Sequence, residues 1–366
     1  MDPSASDCTF TSEYAWCVPA YVVIIPKITG AISLICSAYL AKLMISEEKK
    51  KPYHRLLLNI SIADVLSSSV VHIIGSWMMP AGTAPLSRGN LDTCDAQGFV
   101  VQIILITIPY LNASLSTYYN LIIRYNWSDS QIAKVEKNLH IIPWLLGVLF
   151  SIIVLVAKQI VPGTWGCWFG NTQYPPDCDS VETCVRGWNS SYYFWPIFVI
   201  ILLGPLYVAG SMYLVYSSTR KMERRMTRYS VNASQNSSQR SRKVMEQSLL
   251  FSAALLITLA FPLVEIVIAE LGKPIPIWIH VVFALTNPLQ GFYNLLIHLR
   301  RGNGFSLACK VPRCFNRESA EPKKSLQQTS ATTAVPNSAI VHTNKDTTTS
   351  KHIISSSVSF ALEEAA

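Results

Sequence analysis

Charge is what this sequence has least of. Only 14% of its 366 residues are Asp, Glu, Lys or Arg, while 50% are apolar, and mean hydropathy is positive. Soluble domains carry about 25% charged residues, so this balance excludes an ordinary two-domain soluble protein of the same length and fits a polytopic membrane chain. There is no Gly-rich phosphate loop, no metal-spaced His/Cys group and no nucleophile motif, so no enzyme activity and no cofactor are expected. No basic patch is interleaved with aromatics, so the net charge of +8 is not read as nucleic-acid binding. The first 19 residues hold neither Lys nor Arg and no short apolar core before a cleavage site. A removable signal peptide is therefore not expected, and the first apolar span serves as the insertion signal.

What the chain does have is long apolar runs, at about 20–45, 54–80, 97–124, 139–161, 190–216, 246–269 and 276–298. About 20 helical residues cross the ~30 Å hydrocarbon core of a bilayer. Backbone polar groups in lipid must be satisfied internally, and spans this long exclude barrel strands, which leaves helices. The expected fold class is an all-α integral membrane bundle of seven helices over residues 20–298, with a short segment 1–19 before it and a tail 299–366 after it. Of the 30 Lys and Arg residues, 23 fall in the connectors 46–55, 125–138 and 217–245 and in the tail; the opposite set holds Arg88, Arg186 and Lys273. That asymmetry puts the N-terminus outside and the tail in the cytoplasm. It also attracts anionic membrane lipids.

Cys8, Cys17, Cys94, Cys167, Cys178 and Cys184 all fall in the outer set, where disulfides persist. Six cysteines allow 15 pairings, and spacing alone does not choose among them. The largest outer segment, 161–189, carries three of them with Trp165, Trp168, Pro175 and Pro176, the composition of a stapled lid. After Arg301 comes a stretch that could form a short helix along the inner membrane face. Cys309 and Cys314 there, flanked by basic residues, are candidates for lipidation, or else free cytosolic thiols. The remaining tail is Ser/Thr-rich and poor in large apolar residues; it reads as disordered and phosphorylatable, a candidate site for a kinase or an arrestin.

Asn59 through Leu66, NISIADVL, resembles the second-helix signature of rhodopsin-like G-protein-coupled receptors. Cys94 resembles the cysteine that ties the third helix of that family to its second outer loop, which implies a bridge to one of Cys167, Cys178 or Cys184. Arg124-Tyr125 resembles the end of the acid-Arg-Tyr motif, but Ile123 stands in the place of the acid, so a resting-state lock must differ here. Trp144, Pro205 followed by Tyr213, Pro262 and Asn287-Pro288 are similar to further family positions. Ala260 replaces a usual tryptophan, and Gly291 stands where a tyrosine is usual. The run Leu289-Gln290-Gly291-Phe292 resembles the seventh helix of the cyclic-AMP-receptor and secretin-like branches. The resemblance implies a divergent multi-pass receptor of the plasma membrane that takes an unknown extracellular ligand and activates a heterotrimeric G-protein.

Ionisable groups within spans are functional candidates by default. Lys27, His72, Glu265 and His280 all fall in the outer third of their spans and are candidate ligand contacts; each could equally snorkel or pair structurally. The mix suits a small polar or zwitterionic ligand. Asp64 and Asn287 resemble the family's polar pair at an ion or proton site, though Asp64 could merely hydrogen-bond neighbouring helices. Arg124, Tyr125 and Tyr213 are candidates for G-protein coupling; by chemistry alone Arg124 could be a snorkelling anchor. A retinal photoreceptor needs a lysine in the seventh span, and none lies between Ile275 and Leu299. The stronger rival is a proton- or ion-coupled transporter using Asp64, Glu265 and His280.

Overall fold

The computed structural model describes residues 19–47, 51–170, 173–175, 178, 180, 182–188, 190–228, 234–271, 273 and 275–302. Cys8, Cys17, Cys309, Cys314 and the tail lie outside the described residues. The elements are α1 (Ala20–Ser46), α2 (Pro52–Leu66), a π-helical continuation Ser67–Ile74 and 3-10 turn Gly75–Met78, α3 (Leu91–Ile123), α4 (Asp129–Val156), strands β1 (Ile160–Pro162) and β2 (Cys167–Phe169), α5 (Ser190–Arg228), α6 (Ser234–Glu270), α7 (Ile277–Thr286), a 3-10 turn Asn287–Leu289 and α8 (Gln290–Gly302). Among the described residues, six helices are long and apolar enough to cross a membrane.

α3 is the axis of the bundle. Its most apolar window is 67% buried, against 22–39% for the other five. It starts earlier than the apolar run suggests, because Asn90 caps it: the Thr93 amide donates to Asn90 Oδ1 (2.9 Å) and the Asn90 amide to Thr93 Oγ1 (2.8 Å), a reciprocal cap of orphan donors. The outward faces of α1 and α4 leave Ile24, Ile28, Ile32, Ile35, Leu145 and Leu149 exposed. Such faces require lipid, and association between the helices then rests on close packing and interhelical hydrogen bonds.

The seventh span, expected as one helix over 276–298, is broken. Pro288 has no N–H to give and its ring clashes with the preceding turn, so α7 passes through a 3-10 turn before α8 begins. Neither piece alone has the length of a membrane crossing. The connector between the fifth and sixth spans is more helical than its polar composition suggests, with α5 running to Arg228 and α6 starting at Ser234.

The second span also changes character along its length. At Ser67 the α-helix widens into π turns and ends at Gly75, whose φ of 43° lies in the left-handed region that favours glycine. At the same end of the bundle, β1 and β2 form an antiparallel hairpin, Ile160 opposite Phe169. This end is called the lid end below. The other carries the basic connectors and is called the basic end.

Gly291 sets how closely α8 approaches α1. Its amide donates to Ser33 Oγ (3.1 Å), and a Cβ there would collide with Ser37 Oγ and crowd Ser33. Gly291→Val is expected to destabilise the bundle by about 1–3 kcal/mol, the usual range for overpacking. Gly210→Ala, where nothing lies within 4 Å, is expected to stay within about 1 kcal/mol of the parent. Thermal unfolding of both variants in detergent checks the contrast.

Candidate functional site

Polar side chains inside the bundle gather in three layers. At the lid end, Lys27 on α1 lies at the frayed end of the second span. Its Nζ donates to Ile73 O (2.8 Å) and Ile74 O (3.1 Å) and sits 4.4 Å from the Trp77 ring centroid. These carbonyls lie where the π turns give way to the 3-10 turn, and Lys27 binds them as a helix cap would. Its ammonium is thereby committed to the backbone. Gln97, at the start of α3, works from the other side: its Nε2 donates to Gly75 O (2.7 Å) and Val70 O (3.2 Å), while its Oε1 accepts from the Cys167 amide (2.9 Å).

The lid is tied down covalently. Cys94 pairs with Cys167, and Cys178 with Cys184. Arg186 Nη2 reaches Asp95 Oδ2 at 2.6 Å. Trp165, at the hairpin turn, stacks on Phe283 (5.0 Å between centroids) and meets the His280 ring edge-on at 5.7 Å. His280 Nδ1 lies 2.8 Å from Glu265 Oε1, joining α7 to α6. Thus two of the four outer candidates, Glu265 and His280, form a pair beneath the lid. His72 is buried and packs against Gly30 of α1; among the described residues no hydrogen bond or ion pair links it to that pair.

The middle layer surrounds Asp64, which is 1% exposed. Asp64 Oδ2 accepts from Asn294 Nδ2 (2.7 Å), not from Asn287. Asn287 Nδ2 donates instead to Thr258 O (3.0 Å). The 3-10 turn is the physical reason, since it shifts the phase of the seventh span between the two asparagines. From Asn294 the chain of contacts runs on to Gln290 (3.5 Å) and from Gln290 Oε1 to Thr258 Oγ1 (2.6 Å), linking α2, α8 and α6. Among the described residues, Asp64 Oδ1 is buried without a hydrogen-bond partner, so the carboxyl has one oxygen held by Asn294 and one facing the bundle interior.

A second polar chain joins α2 to α4. Trp144 Nε1 can only donate, and it donates to Asn59 Oδ1 (2.9 Å), which leaves Asn59 Nδ2 to donate to His140 Nδ1 (3.0 Å). Glu136 lies one turn before His140 and receives Arg55 in a two-pronged pair, Nη2 to Oε2 being 2.6 Å.

At the basic end, Arg124 follows the last residue of α3, is exposed, and stands 5.6 Å from the Tyr125 ring. No carboxylate pairs with it among the described residues. Tyr213 is 71% exposed and faces away from the bundle. The buried stripe of α5 carries Val208, Ser211, Met212, Val215 and Thr219, an i, i+3, i+4 pattern, and Tyr213 falls between its positions, on the outer face. Asn120 Nδ2 donates to Ser211 Oγ, so the α3–α5 tie falls on Asn120 and Ser211. Deeper in, Tyr53, Tyr118, Tyr119, Gln247 and His298 form a cluster to which no sequence motif points.

With this geometry in view, the fold is similar to that of the crystal structure of squid rhodopsin. The TM-score is 0.53 at 17% sequence identity, covering 77% of this chain and 78% of that one. No protein-family model matches the chain, and no curated protein matches it significantly. The likeness establishes the fold: a rhodopsin-like helical bundle. The chain is a multi-pass membrane protein.

Proposed function

We propose that this protein is a G-protein-coupled receptor with seven crossings, its lid end outside and its basic end in the cytoplasm of a cell bounded by the plasma membrane. The observation that carries the reading is the rhodopsin-like fold, similar over three quarters of either chain. In this reading a small polar extracellular ligand engages Glu265 and His280 beneath the Trp165 lid, with His72 and Lys27 shaping the walls. Lys27 is already bonded to two carbonyls, so the groups left for a ligand are a carboxylate and an imidazole.

α6 carries a contact in each layer. Glu265 meets His280, Thr258 meets Gln290 and Gln247 meets Tyr53, spread over 18 residues or ~27 Å of helix. A ligand that shifts the Glu265 end therefore acts on one continuous helix, bent at Pro262, whose far end closes the cytoplasmic mouth. Ligand binding shifts the population toward the open arrangement only by its difference in affinity for the two. The tail would take a kinase or arrestin, and the basic connectors would meet anionic lipids.

One observation favours the rival transporter, namely the unpartnered Asp64 Oδ1. The experiment that separates the two is guanine-nucleotide exchange on a panel of purified heterotrimeric G-proteins, screened across amines, nucleotides, peptides and pH, beside solute and proton currents from the same membranes. The receptor reading expects exchange above empty membranes and no current. Currents abolished by Asp64→Asn, with no exchange, would replace it.

A further inference from the structure

We infer that a latch centred on the hydrogen bond from Gln247 to Tyr53 holds the basic end closed, in place of an ionic one at Arg124. This rests on the receptor reading for its meaning, though not for its geometry. Tyr53 is 2% exposed and sits at the second position of α2. Gln247 Nε2 on α6 donates to its hydroxyl (2.7 Å), and His298 Nδ1 on α8 lies 3.4 Å from the same oxygen. Its ring stacks on that of His298 (6.5 Å, 17° between planes) and packs against Tyr118 and Tyr119 of α3, each at 6.4 Å. One side chain thus ties together α2, α3, α6 and α8.

Three features make this a latch and more than packing. The bond from Gln247 to Tyr53 joins α6 to the rest of the bundle at the end that must open for a partner to enter. Around it α6 packs on α5 and α3 through apolar side chains, Met245, Leu249 and Leu255 against Met212, Val215 and Ile123. The next polar tie, at Thr258, lies 11 residues or ~16 Å further along the helix. Arg124, meanwhile, is exposed and has no hydrogen bond or ion pair to α6 among the described residues. The bond itself joins an amide to a phenol, so salt does not loosen it in the way that salt screens an exposed ion pair.

The test uses the full chain in nanodiscs. Tyr53→Phe keeps the ring and removes the hydroxyl, and Gln247→Leu removes the donor from the opposite side. Both are expected to speed amide hydrogen exchange in the first two turns of α6 from Met245 by about five- to tenfold, the ratio that loss of one buried hydrogen bond produces. The double variant is expected to add little to either single one, because both remove the same bond. Tyr39→Phe, on the lipid face of α1, is the control and should leave α6 unchanged. Basal nucleotide exchange should rise by a similar factor. Faster α6 exchange without any G-protein response would keep the latch and remove the receptor reading. Unchanged α6 exchange in both folded single variants would overturn the latch.

Discussion

Cys167→Ser is expected to lower stability by roughly 4 kcal/mol, because the bridge to Cys94 closes a loop of 73 residues and the entropy it removes from the unfolded chain grows with loop length. The same relation gives roughly 2 kcal/mol for Cys184→Ser, whose loop spans only six residues. The larger effect has a local component as well. The Cys167 amide donates to Gln97 Oε1, and Gln97 in turn satisfies the carbonyls at the end of the second span, so freeing the hairpin loosens two elements. Thermal unfolding of the two variants without reductant checks the order. A Cys184→Ser variant that falls further than Cys167→Ser would mean that the lid is held chiefly by its own short loop.

Arg55→Ala is expected to cost about 3 kcal/mol, near the low end of the range for breaking a buried ion pair by removing one partner. The Glu136 side chain is only 10% exposed while that of Arg55 is 40% exposed. Removing the arginine therefore strands the buried member, whereas removing the glutamate leaves the other within reach of water. The Glu136→Ala loss should accordingly be the smaller of the two. Arg55→Lys should restore little, since an ammonium cannot match both carboxylate oxygens in one plane. Paired replacement of both residues by methionine should recover most of the Arg55→Ala loss, because the desolvation cost of the charges disappears with them. Urea or thermal unfolding of the four variants decides it. Equal losses for Arg55→Ala and Glu136→Ala would show that water reaches the carboxylate freely.

The helices of this fold were legible because lipid imposes a crude rule. An apolar run of membrane length must be a helix, and Pro and Lys mark where it ends or bends. Asp64 was legible as a buried acid for the same reason, being the one acid in its apolar stretch. Its partner was not. Asn287 sits beside the proline that the eye takes as a motif, yet that same proline inserts a 3-10 turn, and the rotation hands Asp64 to Asn294 seven residues on. The orientation of Tyr213 depends on helix phase, which a spacing from Pro205 does not determine. The i, i+3, i+4 rhythm of Val208, Ser211, Met212, Val215 and Thr219 was in the sequence and would have placed it on the outer face.

Lys27 shows a different limit. Its burial was readable, but its use as a cap depends on the second span widening to π turns and ending at Gly75, an event governed by packing against α1 and α3. Tyr53 was invisible for a plainer reason. An aromatic at the end of a membrane span reads as an interface anchor, and only the meeting of four helices turns it into a hub. Of the lid, the stapling was readable from three close cysteines, while the partner of Cys94 required the hairpin that brings Cys167 over the start of α3.

The most direct measurement of the central claim is whether the purified chain in nanodiscs forms a complex with a nucleotide-free heterotrimeric G-protein that a non-hydrolysable GTP analogue dissolves. The account predicts a one-to-one complex with at least one G-protein class, tighter for Tyr53→Phe than for the parent, since the population able to bind is larger. A folded chain that binds no member of the panel at micromolar concentration, in the parent or in the Tyr53→Phe form, would contradict it.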